Sequence, residues 1–578
     1  MNSRNTTALI ALFSCVVPLS AQTTRAKKHV PIHKPSLQEQ ISELQREMRQ
    51  QHDDMQAQIN SLKQQLTEKQ AEAETASAAV LSTQQQAATT QAQALAQAQQ
   101  NAAAVANLQE SVASTNTLLE KVSTEQLSLK RAVESPLAIH YKGLTLTPGG
   151  FIAGESVWRQ RAMHADIYTD YNLAPYPTSG DAHISEWVPS ARQSRFSLLA
   201  EGKAGPLQLK AYLETDFLSA GTTSNQLQTN SYTLRMRQAW LQATTGRTTF
   251  NAGQMWTLAT ENKKAALAGQ EALPLTIDNN FNVGTTWLRQ MGYRVQHEFT
   301  PAVTLAVSLE NAQYQFSANN APKNFFFGAP GAFQGLNNQT FNYTDQLAPD
   351  ILVKASFDPG WGHYEIAGIG RFFRDRYYPS AVSGEGARND TKFGGGFVAN
   401  ARMPLTHTFD LGLHLTAGDG TGRYGASLLP DITVHPDGTL EPLRNAQGLV
   451  SLEAHPTKKL DLYGYAGTEY VQRTYYLDAN GTEVGYGVPS QNNSGCNSEA
   501  PPSSNTGFAP GSGTCVGNTR NLTEGQTGFW YRPYTGTAGK LQFGAAYAYF
   551  YRVGWTGVGG APKSVNNMVY TSVRYFLP

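Results

Sequence analysis

Residues 540–552 read Lys-Leu-Gln-Phe-Gly-Ala-Ala-Tyr-Ala-Tyr-Phe-Tyr-Arg. Apolar and aromatic residues take every second position of this stretch, namely Leu541, Phe543, Ala545, Tyr547, Tyr549 and Tyr551. Successive side chains of a β-strand point to opposite faces. This order therefore gives one apolar face and one polar face, which carries Lys540, Gln542 and Arg552. The stretch therefore predicts a long, two-faced β-strand.

Similar runs continue outward from this stretch over most of the chain, including residues 207–217, 303–310, 350–358 and 569–576. Runs of this type reach the length that a tilted strand needs to cross a bilayer. Short turns such as Thr245-Gly246 and Pro359-Gly360 alternate along the chain with much longer connections. Transmembrane barrels have this asymmetry, with short periplasmic turns and long extracellular loops. We predict an all-β transmembrane barrel of about 16 antiparallel strands over residues 137–578.

The N-terminal part has a different pattern. Residues 1–21 have the short basic start and apolar centre of a signal peptide, and residues 22–36 form a basic linker. Residues 37–135 contain heptad-spaced apolar positions and no Pro before Pro136, which predicts a periplasmic α-helical coiled coil in front of the barrel. A partly disordered Gln- and Ala-rich tether is the alternative, above all for residues 70–104.

Composition excludes several classes of protein. Lys plus Arg is 45 and Asp plus Glu is 44, which gives no reason to expect a nucleic-acid partner. The 12 His residues lack metal-ligand spacing and no catalytic constellation is present, so we expect no enzyme, no catalytic residue, no metal and no cofactor. Cys496 and Cys515 share one long connection, and in an oxidising compartment they are expected to form a local disulfide.

Five short motifs occur in a fixed order after the helical part. They are Gly149-Gly150-Phe151-Ile152, Gln193-Ser194-Arg195-Phe196, Leu234-Arg235-Met236-Arg237-Gln238-Ala239-Trp240, Gly253-Gln254-Met255-Trp256 and Ala348-Pro349-Asp350-Ile351. With the preceding signal peptide and coiled coil, this layout resembles the DcaP-like trimeric porins and is similar to the phosphate-selective porins. The resemblance implies a sixteen-stranded barrel, three copies per assembly and passage of small, often negatively charged solutes. The Cys-containing stretch from Tyr475 to Arg520 departs from that pattern.

Alternation predicts which charged side chains line the lumen. The expected basic lining is Lys210, Arg235, Arg237, Arg294, Lys354, Arg371, Lys540 and Arg552, and the expected acidic lining is Glu214, Asp216, Glu298, Glu310 and Asp375. Arg235 and Arg237 share one face of one strand and make the sharpest local positive field. These side chains form either a basic ladder that attracts anions or Arg–Glu pairs between neighbouring strands that set only the pore width.

The connection after the fifth predicted strand, Leu258 to Thr286, is the candidate constriction loop. It contains Glu261, Lys263, Lys264, Glu271 and Asp278. In sixteen-stranded porins such a loop folds into the lumen, whereas simple solvation of its charges is the alternative.

These observations together predict a multi-pass porin of the bacterial outer membrane for small hydrophilic solutes, with anions as candidate cargo. Expected partners are outer-membrane lipids and two further copies of the chain in a homotrimer. The basic linker is a candidate contact for peptidoglycan. The alternative function is a structural barrel anchor that tethers the outer membrane to the cell wall through the coiled coil.

Overall fold

The computed structural model describes residues 104–122, 138–219, 233–328, 343–380, 382–502, 509–511 and 513–578, with isolated positions in 55–68 and 505–507. The chain divides into two units, Met1–Lys130 and Arg131–Pro578. The predicted signal peptide and basic linker lie outside the described residues, as does most of the predicted coiled coil.

In the first unit, residues 104–122 form an α-helix. Thr115 and Thr117 donate their hydroxyl groups to the carbonyl oxygens of Ser111 and Ala113, at 2.8 and 2.9 Å, as threonines inside a helix often do. Val112 is 38% exposed, so part of the heptad seam is uncovered in the single chain.

The second unit is built on a sheet of nineteen strands, of which three are short (Ile139–Tyr141, Glu186–Ser190 and Phe325–Phe326). The sixteen long strands are β1 (Leu144–Arg159), β2 (Arg195–Ala204), β3 (Leu207–Asp216), β4 (Arg235–Thr245), β5 (Thr248–Trp256), β6 (Arg289–Thr300), β7 (Val303–Glu310), β8 (Asp350–Phe357), β9 (His363–Tyr377), β10 (Arg388–Pro404), β11 (Phe409–Asp419), β12 (Arg444–Thr457), β13 (Leu460–Val471), β14 (Thr519–Gly536), β15 (Gly539–Gly554) and β16 (Lys563–Phe576).

The sheet closes on itself. Each long strand pairs antiparallel with the next, and β16 pairs with β1 from Phe151↔Phe576 to Arg159↔Met568. Closure leaves no free sheet edge, which is the condition for a sheet to stand in a bilayer. The predicted barrel and its strand number are confirmed.

The alternation seen in the sequence separates the two faces of the wall. On β8, Ile351, Val353 and Phe357 are 39–43% exposed on the outer surface, whereas Leu352 and Lys354 are fully buried. Apolar side chains therefore cover the outside of the cylinder, and polar side chains fill most of the inside. Among the described residues, no helix is long and apolar enough to cross a membrane.

Turns at one end of the barrel are short. The β4–β5 turn consists of Gly246 and Arg247 between the paired residues Thr245 and Thr248, and Gly246 has φ +54°, a conformation that favours glycine. The other end carries the long connections. They contain the 3₁₀-helices Tyr171–Leu173, Gly180–His183 and Gly422–Tyr424, and the two hairpins Ile432–Val434 with Leu440–Pro442 and Thr474–Leu477 with Glu483–Tyr486.

Candidate functional site

The connection between β5 and β6, residues 257–288, is here called the lumen loop. It leaves the wall at Thr257, whose N–H donates to the carbonyl oxygen of Leu288 at 3.0 Å. Its apolar side chains Leu258, Ile277 and Val283 have 0% exposure. Burial of these side chains and hydrogen bonds to the inward faces of many strands hold the loop inside the barrel.

One attachment lies on β8. The Lys354 ammonium donates to the Thr260 carbonyl oxygen at 2.7 Å and to Asn262 Oδ1 at 2.9 Å. Ser356 Oγ donates to the Ala265 carbonyl oxygen at 3.1 Å. Lys354 also forms a 2.8 Å salt bridge with Glu365 on β9. The buried cation therefore joins the wall to the first turn of the lumen loop.

The apex of the lumen loop lies against β13 and β14. The N–H of Val283 donates to Glu524 Oε2 and the N–H of Gly284 donates to Glu469 Oε1, both at 2.9 Å. A Cβ built on Gly467 would lie 1.8 Å from the Val283 carbonyl oxygen. A glycine at this position therefore allows the loop backbone to approach the wall, and two carboxylates hold it there.

The middle of the lumen loop contacts the last strands of the barrel. Tyr570 Oη on β16 donates to Asp278 Oδ2 at 3.0 Å, and Trp530 Nε1 on β14 donates to the Leu275 carbonyl oxygen at 2.6 Å. Together with the attachment on β8, these contacts place the loop across the lumen. A loop so placed reduces the open cross-section of the cylinder.

The lumen loop buries or pairs its acids and exposes its lysines. Arg402 Nε lies 2.7 Å from Glu261 Oε1, while Glu271 and Asp278 are 9% and 1% exposed. Burial raises the pKa of all three carboxyl groups. Lys263 and Lys264 are exposed, and neither forms a salt bridge within the described part of the chain. The solvent-facing charge of this loop is therefore positive.

The predicted basic pair on β4 is neutralised by β3. Arg235 Nη2 lies 2.8 Å from Asp216 Oδ2, and Arg237 lies 2.6 Å from both Glu214 Oε1 and Asp216 Oδ2. Arg195 adds a third guanidinium, 3.5 Å from Glu214. Three arginines thus share two carboxylates. This arrangement corresponds to the alternative in which arginines and acids of neighbouring strands pair, and it leaves one positive charge in excess.

The other predicted basic positions also point into the barrel, and several are held by acids or carbonyl groups. Arg371 forms salt bridges with Asp350 and Asp431 at 3.1 and 2.8 Å, and Lys210 forms one with Glu201 at 2.8 Å. Arg294 donates to the carbonyl oxygens of Ala266 and Trp256. Arg552 donates to the Ala174 carbonyl oxygen at 2.6 Å, and Lys540 lies over the Phe576 ring.

The predicted acidic positions have three different environments. Glu310 accepts from the Leu258 N–H at 2.8 Å and from Gln290 Nε2 at 2.7 Å, which anchors the start of the lumen loop. Asp375 is 2% exposed, and neither of its carboxylate oxygens has a hydrogen-bond partner. Glu298 is half-buried near the short-turn end.

A cavity of about 320 Å³ lies between the lumen loop and strands β2–β5. Its walls include Arg195, Lys210, Glu214, Arg237, Trp240 and Trp256. Lys210 and Arg237 were predicted to line the lumen, whereas sequence reasoning missed Arg195 as a lining residue. The cavity provides a polar space with a surplus of cationic groups beside the loop.

Arg289 is a further residue that alternation misses. It shares parity with the exposed residues Met291 and Tyr293, which assigns it to the outside. Instead its guanidinium lies 4.7 Å from the Trp256 ring centre and 4.9 Å from that of Trp287. Its Nη1 is buried and has no hydrogen-bond partner. Trp256 on β5 and Trp287 in the lumen loop were the sequence features that could have indicated a stacking partner for Arg289 inside the barrel.

The long connection between β13 and β14 carries the disulfide. Cys496 and Cys515 are bonded to each other, and Cys496 is fully buried. Gln491 Nε2 and Asn493 Nδ2 donate to the Trp555 carbonyl oxygen at 2.8 and 2.9 Å, which joins this connection to the one between β15 and β16.

No protein-family model and no curated protein matches this sequence. Among solved structures, the outer membrane channel DcaP of Acinetobacter baumannii has 15% identity and a TM-score of 0.53, covering 76% of this chain and 99% of that chain. The anion-selective porin from Comamonas acidovorans has 9% identity and a TM-score of 0.38, covering 75% and 100%. OmpT of Vibrio cholerae has 10% identity and a TM-score of 0.39, covering 76% and 99%. The barrel described above thus shares its fold with the DcaP outer-membrane channel.

Proposed function

We propose that this chain is a multi-pass porin of the bacterial outer membrane through which small hydrophilic solutes diffuse. A closed cylinder with an apolar outer surface and a polar interior is suited to stand in a bilayer and to hold water. The lumen loop crosses that interior and gives a narrow place where solutes are selected. The Cys496–Cys515 disulfide is in keeping with an oxidising envelope compartment.

The favoured solutes are small anions. The observation that carries this proposal is the charge of the lumen loop, where Lys263 and Lys264 are exposed while Glu261 is paired and Glu271 and Asp278 are buried. Beside the loop, Arg195 adds a third guanidinium to the two carboxylates that already pair with Arg235 and Arg237, which leaves one surplus positive charge. Positive groups at a constriction concentrate anions and repel cations.

Ion selectivity in a planar bilayer tests the proposal. The parent protein should give stepwise currents, and a KCl gradient should give a reversal potential of anionic sign. Lys263→Gln with Lys264→Gln should shift that potential toward cation preference. The matched control is Lys458→Gln with Lys459→Gln, because these adjacent lysines are also exposed but lie in the short β12–β13 turn.

Equal reversal potentials for the parent and the loop variant would contradict anion selection by the lumen loop. Bilayers without channel currents would contradict the porin and favour the structural anchor. In that case, deletion of residues 37–133 should cause membrane blebbing without changing solute uptake.

We also propose that three copies assemble and that residues 37–135 act as a periplasmic oligomerisation stalk. The helix over residues 104–122 supports this with the partly exposed Val112 on its heptad seam. A chain without residues 37–133 should show a weaker trimer than the parent in light scattering of detergent-extracted protein. Identical trimer stability would contradict the stalk.

A further inference from the structure

The long-loop rim of β13–β15 carries a group of basic side chains around one indole. Arg473 lies 4.8 Å from the Trp555 ring centre, and Arg520 lies 5.8 Å from it. Trp555 packs edge-on against Tyr470 at 6.0 Å between ring centres and donates its Nε1–H to the Val471 carbonyl oxygen. The indole therefore orders two guanidinium groups at one point of the rim.

The strand residues that contact this rim group belong to the outer side of the wall. Tyr470 alternates with the inward residues Glu469 and Val471, so it faces outward. Arg520 occupies the register shift between Thr519 and Asn521, and its Nε donates to Asn521 Oδ1 at 3.2 Å. Asn521 shares the face of the exposed Thr523. Tyr470 and Asn521, which contact the rim group, thus belong to the lipid-facing side of the wall.

The rim group keeps its positive charge unpaired. Neither Arg473 nor Arg520 forms a salt bridge within the described residues. Arg473 Nη2 donates to the Thr556 carbonyl oxygen, and Arg473 Nε is buried without a hydrogen-bond partner. Lys563, the exposed first residue of β16, lies in the same cross-strand row as Val553 and Asn521. Two guanidinium groups and an ammonium group without a neighbouring carboxylate in the described residues favour an anionic ligand at this point.

An aromatic surface lies directly below the rim group. Tyr547 and Tyr549 are 44% and 45% exposed on the outer face of β15, and Tyr551 continues that column. Tyr551 is two residues below Val553, or about 7 Å along the strand. Tyrosines of this kind mark the interface between acyl chains and headgroups. Arg473, Arg520 and Lys563 are therefore at headgroup height.

We propose that Arg473 and Arg520, supported by Lys563, bind the phosphate of a phosphorylated lipid headgroup in the outer leaflet. The guanidinium nitrogens that are not used by Thr556 and Asn521 can donate to phosphate oxygens. Trp555 holds both guanidinium groups in place before the ligand arrives. The inference rests on the proposed membrane location, but it does not depend on solute transport. A protein that conducts and yet retains no lipid would overturn only the lipid site.

Lipid retention measured by native mass spectrometry tests the site. The full chain is reconstituted in vesicles of phosphatidylcholine with lipid A that carries two phosphates, or with chemically dephosphorylated lipid A, and then extracted in detergent. The parent should retain the phosphorylated lipid, and Arg473→Ala with Arg520→Ala should retain at least tenfold less. The control Lys203→Ala with Arg247→Ala removes two exposed cations at the short-turn end and should behave as the parent.

Each other outcome has a defined meaning. Equal retention of both lipid A forms, or unchanged retention in the alanine variant, overturns the proposal. If 10 mM inorganic phosphate binds and no lipid is retained, the site takes free phosphate and the lipid assignment fails. If the alanine variant does not fold, Arg473→Lys with Arg520→Lys replaces it, because this variant keeps the two positive charges but lacks the guanidinium groups. It should retain less lipid than the parent. It should retain more lipid than Arg473→Gln with Arg520→Gln.

Discussion

The N–H of Gly284 donates a hydrogen bond to Oε1 of Glu469 at 2.9 Å and joins the apex of the lumen loop to β13. The preceding N–H, that of Val283, is accepted by Glu524 of β14 at the same distance. Each of these bonds gives a buried backbone donor its acceptor, and a buried donor without one costs about 1–3 kcal/mol. The position of the loop in the lumen therefore depends on a short backbone segment and on the wall that receives it.

Gly467→Ala should disturb this contact. The added methyl group would lie 1.8 Å from the Val283 carbonyl oxygen, so the apex must move away from β13. We expect a loss of about 1–3 kcal/mol in the free energy of unfolding and noisier single-channel currents. Urea unfolding and bilayer recordings measure the two effects.

The matched control for this change is Gly464→Ala on the same strand. A Cβ at Gly464 meets nothing within 4 Å, so this variant should behave as the parent. If Gly467→Ala had the stability and current noise of Gly464→Ala, the docking of the apex against β13 would be wrong.

Glu271 should make the folded barrel less stable as the pH rises. Burial raises the pKa of its carboxyl group above the usual value of 4.5, and no salt bridge compensates its charge within the described residues. Because the folded state then binds the proton more tightly than the unfolded state, the contribution is favourable at acid pH and is lost as the pH rises through the folded pKa.

Glu271→Gln should therefore have a higher melting temperature than the parent at pH 7.5, and the difference should disappear near pH 4. Thermal unfolding followed by circular dichroism across this range measures both values. Glu298→Gln is the control, because Glu298 is only half-buried and lies outside the lumen loop. A constant difference between Glu271→Gln and the parent at all pH values would contradict the argument.

Local patterns in the sequence predicted the wall better than they predicted the site. Alternation on β8 and the Gly246 turn follow from neighbouring residues alone, so strands and turns were found. The contact of Gly284 with Glu469 joins residues far apart in sequence, and no local pattern indicates it. The pairing of Arg237 with Asp216 depends on the register shift between Glu214 and Thr215, which alternation does not show.

Asp375→Asn should stabilise the barrel. Asp375 on β9 faces Asp390 on β10 directly, and neither oxygen of the buried Asp375 carboxylate has a hydrogen-bond partner. Like charges in opposed cross-strand positions are destabilising, and a neutral amide removes that repulsion. We expect the free energy of unfolding to rise by about 1 kcal/mol, as measured by urea unfolding at neutral pH.

Asp419→Asn provides the comparison for this prediction. Asp419 also lies in a wall strand, but its exposed carboxylate is 3.0 Å from Arg444 Nε. Loss of such a surface pair should change stability by less than about 1 kcal/mol, and in the unfavourable direction. If both variants were destabilised to the same extent, Asp375 must have a compensating partner.

Cys496→Ser with Cys515→Ser should loosen the long β13–β14 connection without opening the barrel. The disulfide closes a segment with a sequence separation of 19 residues, and its sulfurs lie outside the strands. Closing a segment of that length stabilises the folded connection, and not the wall, by about 3 kcal/mol through the entropy of the open chain. We expect faster cleavage of this connection by proteinase K, which does not require a basic residue, and an unchanged melting temperature of the wall. The parent treated with a reducing agent should show the same cleavage, whereas loss of the folded barrel in the double variant would mean that the disulfide supports the wall itself.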